Sequence, residues 1–257
     1  MKGYVVAVNR HVVKGLTQER LPVVSLRAAH GLPNDRRYAF ALADTPFDER
    51  QPTPLPKTKF LTLARFERLA ALTSRFDDAT GTLALYSQGK LLASGKVDVP
   101  ADRAAIENTL RDFMGDAIGG LPRLVAAPGH RFTDVSVRSP AMMEAISLVN
   151  LASIRDLEAK IGRAVDPVRF RANLLVDGLD PWAEREWIDR GVSIGGVSCK
   201  GAMRIPRCPA TEVNPDTAER DIAVPAELKA HFGHIEMGIY LYVQSDGTVA
   251  SGSAVAF

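Results

Sequence analysis

The chain has 257 residues, 46% of them hydrophobic and 24% charged, with a formal net charge of +2. So small a charge excludes a surface built for nucleic acid or an acidic membrane, and no run of five basic residues sits in a tail. Cys199 and Cys208 are too few for a disulfide framework and wrongly spaced for a zinc knuckle, and no apolar run approaches the ~18 residues that span a bilayer.

Arg10, His11 and Lys14 interrupt the N-terminus too early for a secretory h-region. The expectation is therefore a reduced, cytoplasmic protein with both thiols free. Tyr4–Val8 and Val23–Leu26 read as strands, Gly31–Asp35 as a turn, and Tyr38–Leu42 as a third strand. Prolines make 44–56 a loop. Phe60–Phe66 suits a short helix, and Arg68–Phe76 fits helix or strand equally. Thr82–Tyr86 and Lys90–Ser94 flank a turn and predict a hairpin. Ala101–Met114 is the clearest helix of the first half, with Pro100 before it and Gly115 after it. Gly119–Pro122 then reads as a linker.

In the second half, Ile146–Val149, Leu174–Val176, Val192–Ile194 and Ser198–Arg204 are predicted strands, and Ala152–Ile161 and Ala226–Phe232 predicted helices. Ile239–Val243, an Asp246-Gly247 turn and Thr248–Ala250 predict a second hairpin. Strands do not alternate strictly with helices. The fold class is therefore mostly β with helices (α+β), a barrel with helical decorations rather than a doubly wound sheet.

The richest chemistry lies in Arg204–Thr217, a proline-shaped loop carrying Cys208. The guanidinium of Arg207, with Arg204 nearby, favours a thiolate, which is both a nucleophile and a soft metal ligand. Taken alone, Cys208 is more often a small buried hydrophobe. Three further clusters are Arg169-Phe170-Arg171-Ala172-Asn173, Asn34-Asp35-Arg36-Arg37 and Lys14-Gly15. Each can present donors to an anion, and each in isolation is better read as a solvated strand end or a charged turn. Trp182 and Trp187 are expected to pack the barrel against a loop, and His234 to meet the carbonyls of a helix end. Cys199 is expected to be structural, with approach to Cys208 across a hairpin as the alternative.

In this order, the clusters resemble the MOSC family, most closely the branch that includes the mitochondrial amidoxime-reducing component and its bacterial relatives. The resemblance rests on Lys14-Gly15, Asp35-Arg36, the block Phe60 to Gly95, Ala152–Leu157, Arg169–Asn173, the run Arg207-Cys208-x-x-Thr211-x-Val213-x-Pro215-x-Thr217, and Gly238-Ile239-Tyr240. It implies a MOSC-type β-barrel plus an N-terminal β-rich region, divided as 1–118 and 119–257. It implies Cys208 as the protein ligand to molybdenum and as the catalytic residue. Lys14, Arg36, Arg171, Asn173, Arg207 and Tyr240 are implied to hold the molybdenum cofactor (Mo-molybdopterin). Arginine forks and a lysine suit its phosphate and oxo groups, and an amide suits a pterin edge.

Four positions depart from the family pattern: Pro206, Ala210, Ala218 and Ser253 stand where a small polar residue, a hydroxyl, a glycine and an aspartate are usual. The expected function is oxidoreduction of N-hydroxylated or N-oxide small molecules. No cysteines remain for an iron–sulfur domain, so electrons are expected from a separate flavin reductase, ferredoxin or cytochrome-type protein. Neither nucleic acid nor membrane is an expected partner. The alternatives are a sulfur carrier or cofactor-sulfuration protein using a Cys208 persulfide, and a non-catalytic module that binds a small anion.

Overall fold

The computed structural model of the protein describes residues 3–257. In chain order the elements are β1 (Gly3–Arg10), β2 (Glu19–Leu21), β3 (Val23–Leu26), β4 (Ala39–Ala41), β5 (Leu72–Asp77), β6 (Thr82–Ser87), β7 (Lys90–Lys96), α1 (Pro100–Met114), β8 (Arg123–Val125) and α2 (Pro140–Met143). They continue with β9 (Ile146–Asn150), α3 (Leu151–Ile161), β10 (Leu174–Asp177), β11 (Gly191–Ile194), β12 (Val197–Pro206), α4 (Val224–Phe232), β13 (Glu236–Val243), β14 (Gly247–Ala250) and β15 (Ala254–Ala256). Short 3₁₀ turns lie between them. The mixture is the mostly-β architecture that the alternating sequence pattern predicts.

Seven strands close a barrel in the order β10-β9-β13-β12-β11-β15-β1, with β1 pairing back onto β10. All of these pairings are antiparallel except β9 with β10, whose connection runs through α3. Closure removes the sheet edges that would otherwise need protection. The barrel interior is filled by Val5, Val8, Leu148, Leu174, Ile194, Val197 and Leu241, among others. One barrel strand, β1, thus comes from the start of the chain, far from the other six. The first two positions of the predicted 1–118 unit lie outside the described residues.

A second core belongs to the N-terminal half. The three-stranded sheet β5-β6-β7 packs against α1, which buries Ile106, Leu110 and Met114. Those three residues lie at helical spacing on one face, as the pattern 105–114 predicts. A third core lies under α3 and α4.

Three local expectations are corrected. Phe60–Phe66 is not a helix. Leu61 donates its N–H to Phe40 O at 2.8 Å and Phe60 bridges Ala41, so tertiary pairing has replaced the helical ladder except for one turn at Phe66 N to Thr62 O, 2.9 Å. The second predicted hairpin is absent as well. β13 is already paired on both sides, by β12 and β9, so β14 pairs with β3 instead. The Asp246 carboxylate accepts from Ala28 N at 2.9 Å in that junction. Finally, Cys199 lies in the barrel core early in β12, while Cys208 follows its far end. The span from Cys199 to Pro206 alone is ~23 Å of strand, so the two thiols do not meet. Burial pushes the Cys199 thiol up to about 11, which fits its structural role.

Gly238 occupies a bulge in β13 with φ +75°, where an added Cβ would lie 2.2 Å from Leu148 O. Only glycine fits that close approach of β13 to β9. This seats Met237, whose carbonyl anchors the site described next.

Candidate functional site

A cavity of about 260 Å³ opens between the barrel and the N-terminal half. Lys14, Arg36, Arg171, Asn173, Arg207, Cys208 and Tyr240 all line it, although they arise from five separate segments of the chain. The fold therefore brings every residue named from the sequence into one place.

Each is held by local structure. Lys14 follows Val13, which bridges to Tyr38, and its backbone N–H donates to Tyr38 O at 2.8 Å. The next residue, Gly15, has φ +83°, and a Cβ there would meet Leu61 O at 2.6 Å. The Lys14 ammonium is buried, donates to Phe132 O at 2.9 Å and pairs with Asp134. Arg36 sits at φ 48° in the turn after Gly31 and pairs with Asp35. Its second arm donates to Arg171 O at 2.8 Å. Asp35 also accepts from His11 N at 2.7 Å, which fixes the carboxylate that holds Arg36. Arg131 fastens this turn by donating to Leu32 O and Asp35 O while pairing with Glu144 at 2.7 Å.

Arg171 is the left-handed cap (φ 52°) of the 3₁₀ turn Pro167–Phe170 and donates to Leu16 O at 2.7 Å. Asn173 stands just before β10. Its side-chain oxygen accepts from Ser147 N and Ser147 Oγ, at 3.0 and 2.9 Å, and its amide donates to Asn9 O at 3.2 Å. One amide N–H is left for the cavity. Arg207 leaves the end of β12, is buried, and donates to Met237 O and Phe170 O, the latter at 2.9 Å. Cys208 precedes the 3₁₀ turn Pro209–Glu212, and its carbonyl accepts from both the N–H and the hydroxyl of Thr211 at 3.0 Å. The thiol is half-buried, not walled into the core. Tyr240 reaches the cavity from β13.

The electrostatics follow from this burial. Burial, reinforced by Arg36, pulls the Arg171 guanidinium down to about 9, and burial alone leads the fall of Arg207 to about 10. Burial lowers Lys14 too, with Asp134 opposing it. Burial raises the Asp35 and Asp134 carboxyls, but their cationic neighbours, Arg36 for one and Lys14 and Lys57 for the other, outweigh it and hold both well below the usual carboxylate range. Burial keeps His11 neutral, and the nearby Arg36 and Arg171 push the same way. The cavity thus concentrates cations whose charge the protein does not fully balance, an environment that favours a bound anion.

Sequence reasoning missed Lys57, Asp134 and Arg138, which also line the cavity. Lys57 lies against Cys208 and 3.5 Å from Asp134. A buried lysine at position 14 implied some carboxylate partner, but nothing in the pattern pointed to position 134. Conversely, Arg204 does not reach Cys208. It donates to Arg185 O at 3.2 Å on another face of β12. Trp187 fills the barrel core as expected, while half-buried Trp182 packs on Phe232. His234 is not bound to helix-end carbonyls: Lys229 takes Gly233 O, and His234 Nδ1 accepts from Glu236 N at 3.2 Å.

The closed seven-strand barrel fits the fold of a MOSC domain. Residues 129–256 match the model of that domain, and the chain belongs to the MOSC domain family. Its relatives include mitochondrial amidoxime-reducing component 1 of Mus musculus, 33% identical over 116 residues, and that of Homo sapiens, 30% identical over 120 residues. These matches cover 40% and 42% of this chain and only about a third, 34% and 35%, of the relatives' own lengths. Among solved structures, the YuaD protein from Bacillus subtilis is similar across 99% of this chain and 94% of its own, at 13% identity and a TM-score of 0.46. No helix among the described residues is long and apolar enough to cross a membrane.

Proposed function

We propose that the chain binds a molybdenum cofactor through Cys208 and reduces N-hydroxylated or N-oxide small molecules with electrons from a separate redox protein. The observation that carries this reading is a half-buried thiol facing a cavity walled by buried cations that have too few acids to balance them. The donor set fits a metal that brings ligands with it. Among the described residues, no group of three or more His, Cys, Asp or Glu is placed to hold a bare ion. One thiolate added to the two sulfurs of a pterin dithiolene makes the soft field that suits molybdenum. Buried Lys14 and half-buried Arg36 and Arg171 suit the cofactor's phosphate, and the free Asn173 N–H suits a polar pterin edge.

When bound, the cofactor would supply a two-electron couple at the cavity. Overall, the N–O bond breaks, two electrons and two protons are consumed, and the oxygen leaves as water. The chain's own work is to orient and to exclude solvent. Arg207, fixed to two carbonyls, holds Cys208 in place through the backbone. Tyr240 and the 3₁₀ turn after Cys208 wall the cavity on the barrel side. In this reading 119–257 supplies the metal ligand, 1–118 supplies Lys14, Arg36 and one barrel strand, and a reducing, cytoplasmic setting keeps the thiol free. The names of the two amidoxime-reducing relatives support the substrate class. A persulfide carrier would need the accessible sulfur but has no use for buried, unbalanced cations, so cofactor binding accounts for more of the site.

The test is anaerobic turnover of benzamidoxime with reduced methyl viologen as electron donor. Benzamidine should form with the wild type and not with Cys208→Ala. Absence of turnover by protein shown to contain molybdenum would refute the proposed reaction.

A further inference from the structure

The cations of the cavity fall into two groups. Lys14, Arg171 and Arg207 are each fixed to backbone carbonyls, at 2.9 Å to Phe132 O, 2.7 Å to Leu16 O and 2.9 Å to Phe170 O respectively. Their positions are set by the fold. Lys57 and Arg138 differ. Lys57 is carried by a 3₁₀ turn after the proline-rich loop, its side chain is 34% exposed, and no backbone carbonyl binds it. Its one acid, Asp134, is closer to Lys14 and stands 3.5 Å away. Arg138 is exposed and has no ion pair among the described residues. These two line the same cavity from opposite parent segments, one in the N-terminal half and one just before α2. Lys57 also interacts with the Cys208 thiol.

Arg138, with no ion pair among the described residues, and Lys57, which shares Asp134 with Lys14, leave a positive surplus at the entrance. An ammonium on a flexible stem keeps spare donors and adapts to acceptors of different shape. Leu63 in the cavity lining, and exposed Val137 next to Arg138 in the chain, add apolar surface near that charge. We infer that Lys57, assisted by Arg138, selects substrates that carry a carboxylate or comparable anionic group on an apolar body next to the reducible N–O bond. The inference deepens the proposed reaction and rests on it for its kinetic arm only.

The test compares 4-carboxybenzamidoxime with benzamidoxime, using titration calorimetry at low ionic strength. Oxidised holoprotein is used without an electron donor, so that nothing turns over. The anionic probe should bind more tightly than the neutral one. Lys57→Gln should weaken the anionic probe about five- to tenfold and the neutral probe less than twofold, Lys57→Arg should restore most of the difference, and Arg138→Gln should cost about twofold. The wild type provides an arm that needs no variant: raising the salt to 0.5 M, where the Debye length falls to ~4 Å, should weaken the anionic probe alone. In turnover, the ratio of the two substrates' kcat/KM values should shift in Lys57→Gln, whatever change in kcat the two substrates share. An anionic-to-neutral affinity ratio unchanged in Lys57→Gln and insensitive to salt overturns the inference even if both compounds are reduced. Selective, salt-sensitive binding of the anionic probe without any turnover upholds the inference and removes the proposed reaction instead.

Discussion

Arg171→Met should make the cofactor-free protein more stable while weakening its hold on anions. The Arg171 guanidinium is pulled down to about 9, chiefly by burial and secondly by Arg36. That depression corresponds to about 5 kcal/mol of unfavourable surroundings for the charge. Methionine removes the charge, fills the same volume and is as compatible with the left-handed cap as arginine. It loses the bond to Leu16 O, worth about 1 kcal/mol. Allowing for water penetration and side-chain relaxation, a gain of about 1–3 kcal/mol at pH 7 remains. The pH dependence has a definite sign. A base with a lowered folded pKa binds its proton more readily in the unfolded chain, so the wild type's handicap is full below pH 9 and shrinks as the pH rises from 9 toward 12. The variant's advantage should shrink over the same window. Urea unfolding of the cofactor-free proteins, each with and without 50 mM phosphate, gives both answers. Phosphate should stabilise the wild type and affect Arg171→Met little. A variant that is less stable than the wild type and equally stabilised by phosphate would refute the idea that this cavity stores unbalanced positive charge for a ligand.

Asn173→Ala leaves Ser147 N–H and Asn9 O unpaired in buried surroundings, which should cost about 3 kcal/mol and lower Tm by about 6–12 °C in calorimetry; a shift under 2 °C contradicts this. Asp35→Asn should destabilise by about 3 kcal/mol at neutral pH by breaking a buried pair. Because the Asp35 carboxyl is held low, that contribution is full above pH ~4 and fades as the pH falls below it. The gap between wild type and variant in urea midpoint should therefore narrow from pH 6 to pH 3. Gly238→Ala drives a Cβ to 2.2 Å from Leu148 O at φ +75°, so it should lose more than about 3 kcal/mol and express largely as insoluble protein; a soluble, wild-type-like Tm would contradict the bulge geometry.

Much of this was visible in the amino-acid order because the signals were local. The helix Pro100–Met114 shows a proline, a 3.6-residue apolar stripe and a closing glycine, and β3 occupies the very residues its alternation predicts. The site was legible through short motifs, and all seven nominated side chains converge on one cavity. What stayed hidden was decided by distant partners. The β13 and β14 segments look like a hairpin, but the edges of β13 are filled by strands from elsewhere. Phe60–Phe66 has helical spacing, yet its backbone pairs with β4. Lys57 and Asp134 carry no periodic signal at all, since each acquires its place from the packing of the two halves against each other. Arg204, four residues from Cys208, is close in sequence but donates to Arg185 O; alternation alone would put positions 204 and 208 on one face, but the β12–β13 register shifts between Arg204 and Pro206 and β12 ends before Cys208.

The central claim is that the Cys208 sulfur is the protein's ligand to molybdenum. The most direct measurement is elemental analysis with pterin fluorescence on protein purified without air from a cofactor-making host. The wild type should carry close to one molybdenum and one pterin per chain. Cys208→Ala should carry almost no metal while keeping the wild-type circular dichroism and unfolding midpoint, since the half-buried thiol supports little of the core. Full molybdenum retention by that variant, or a wild type free of both metal and pterin, would contradict the account.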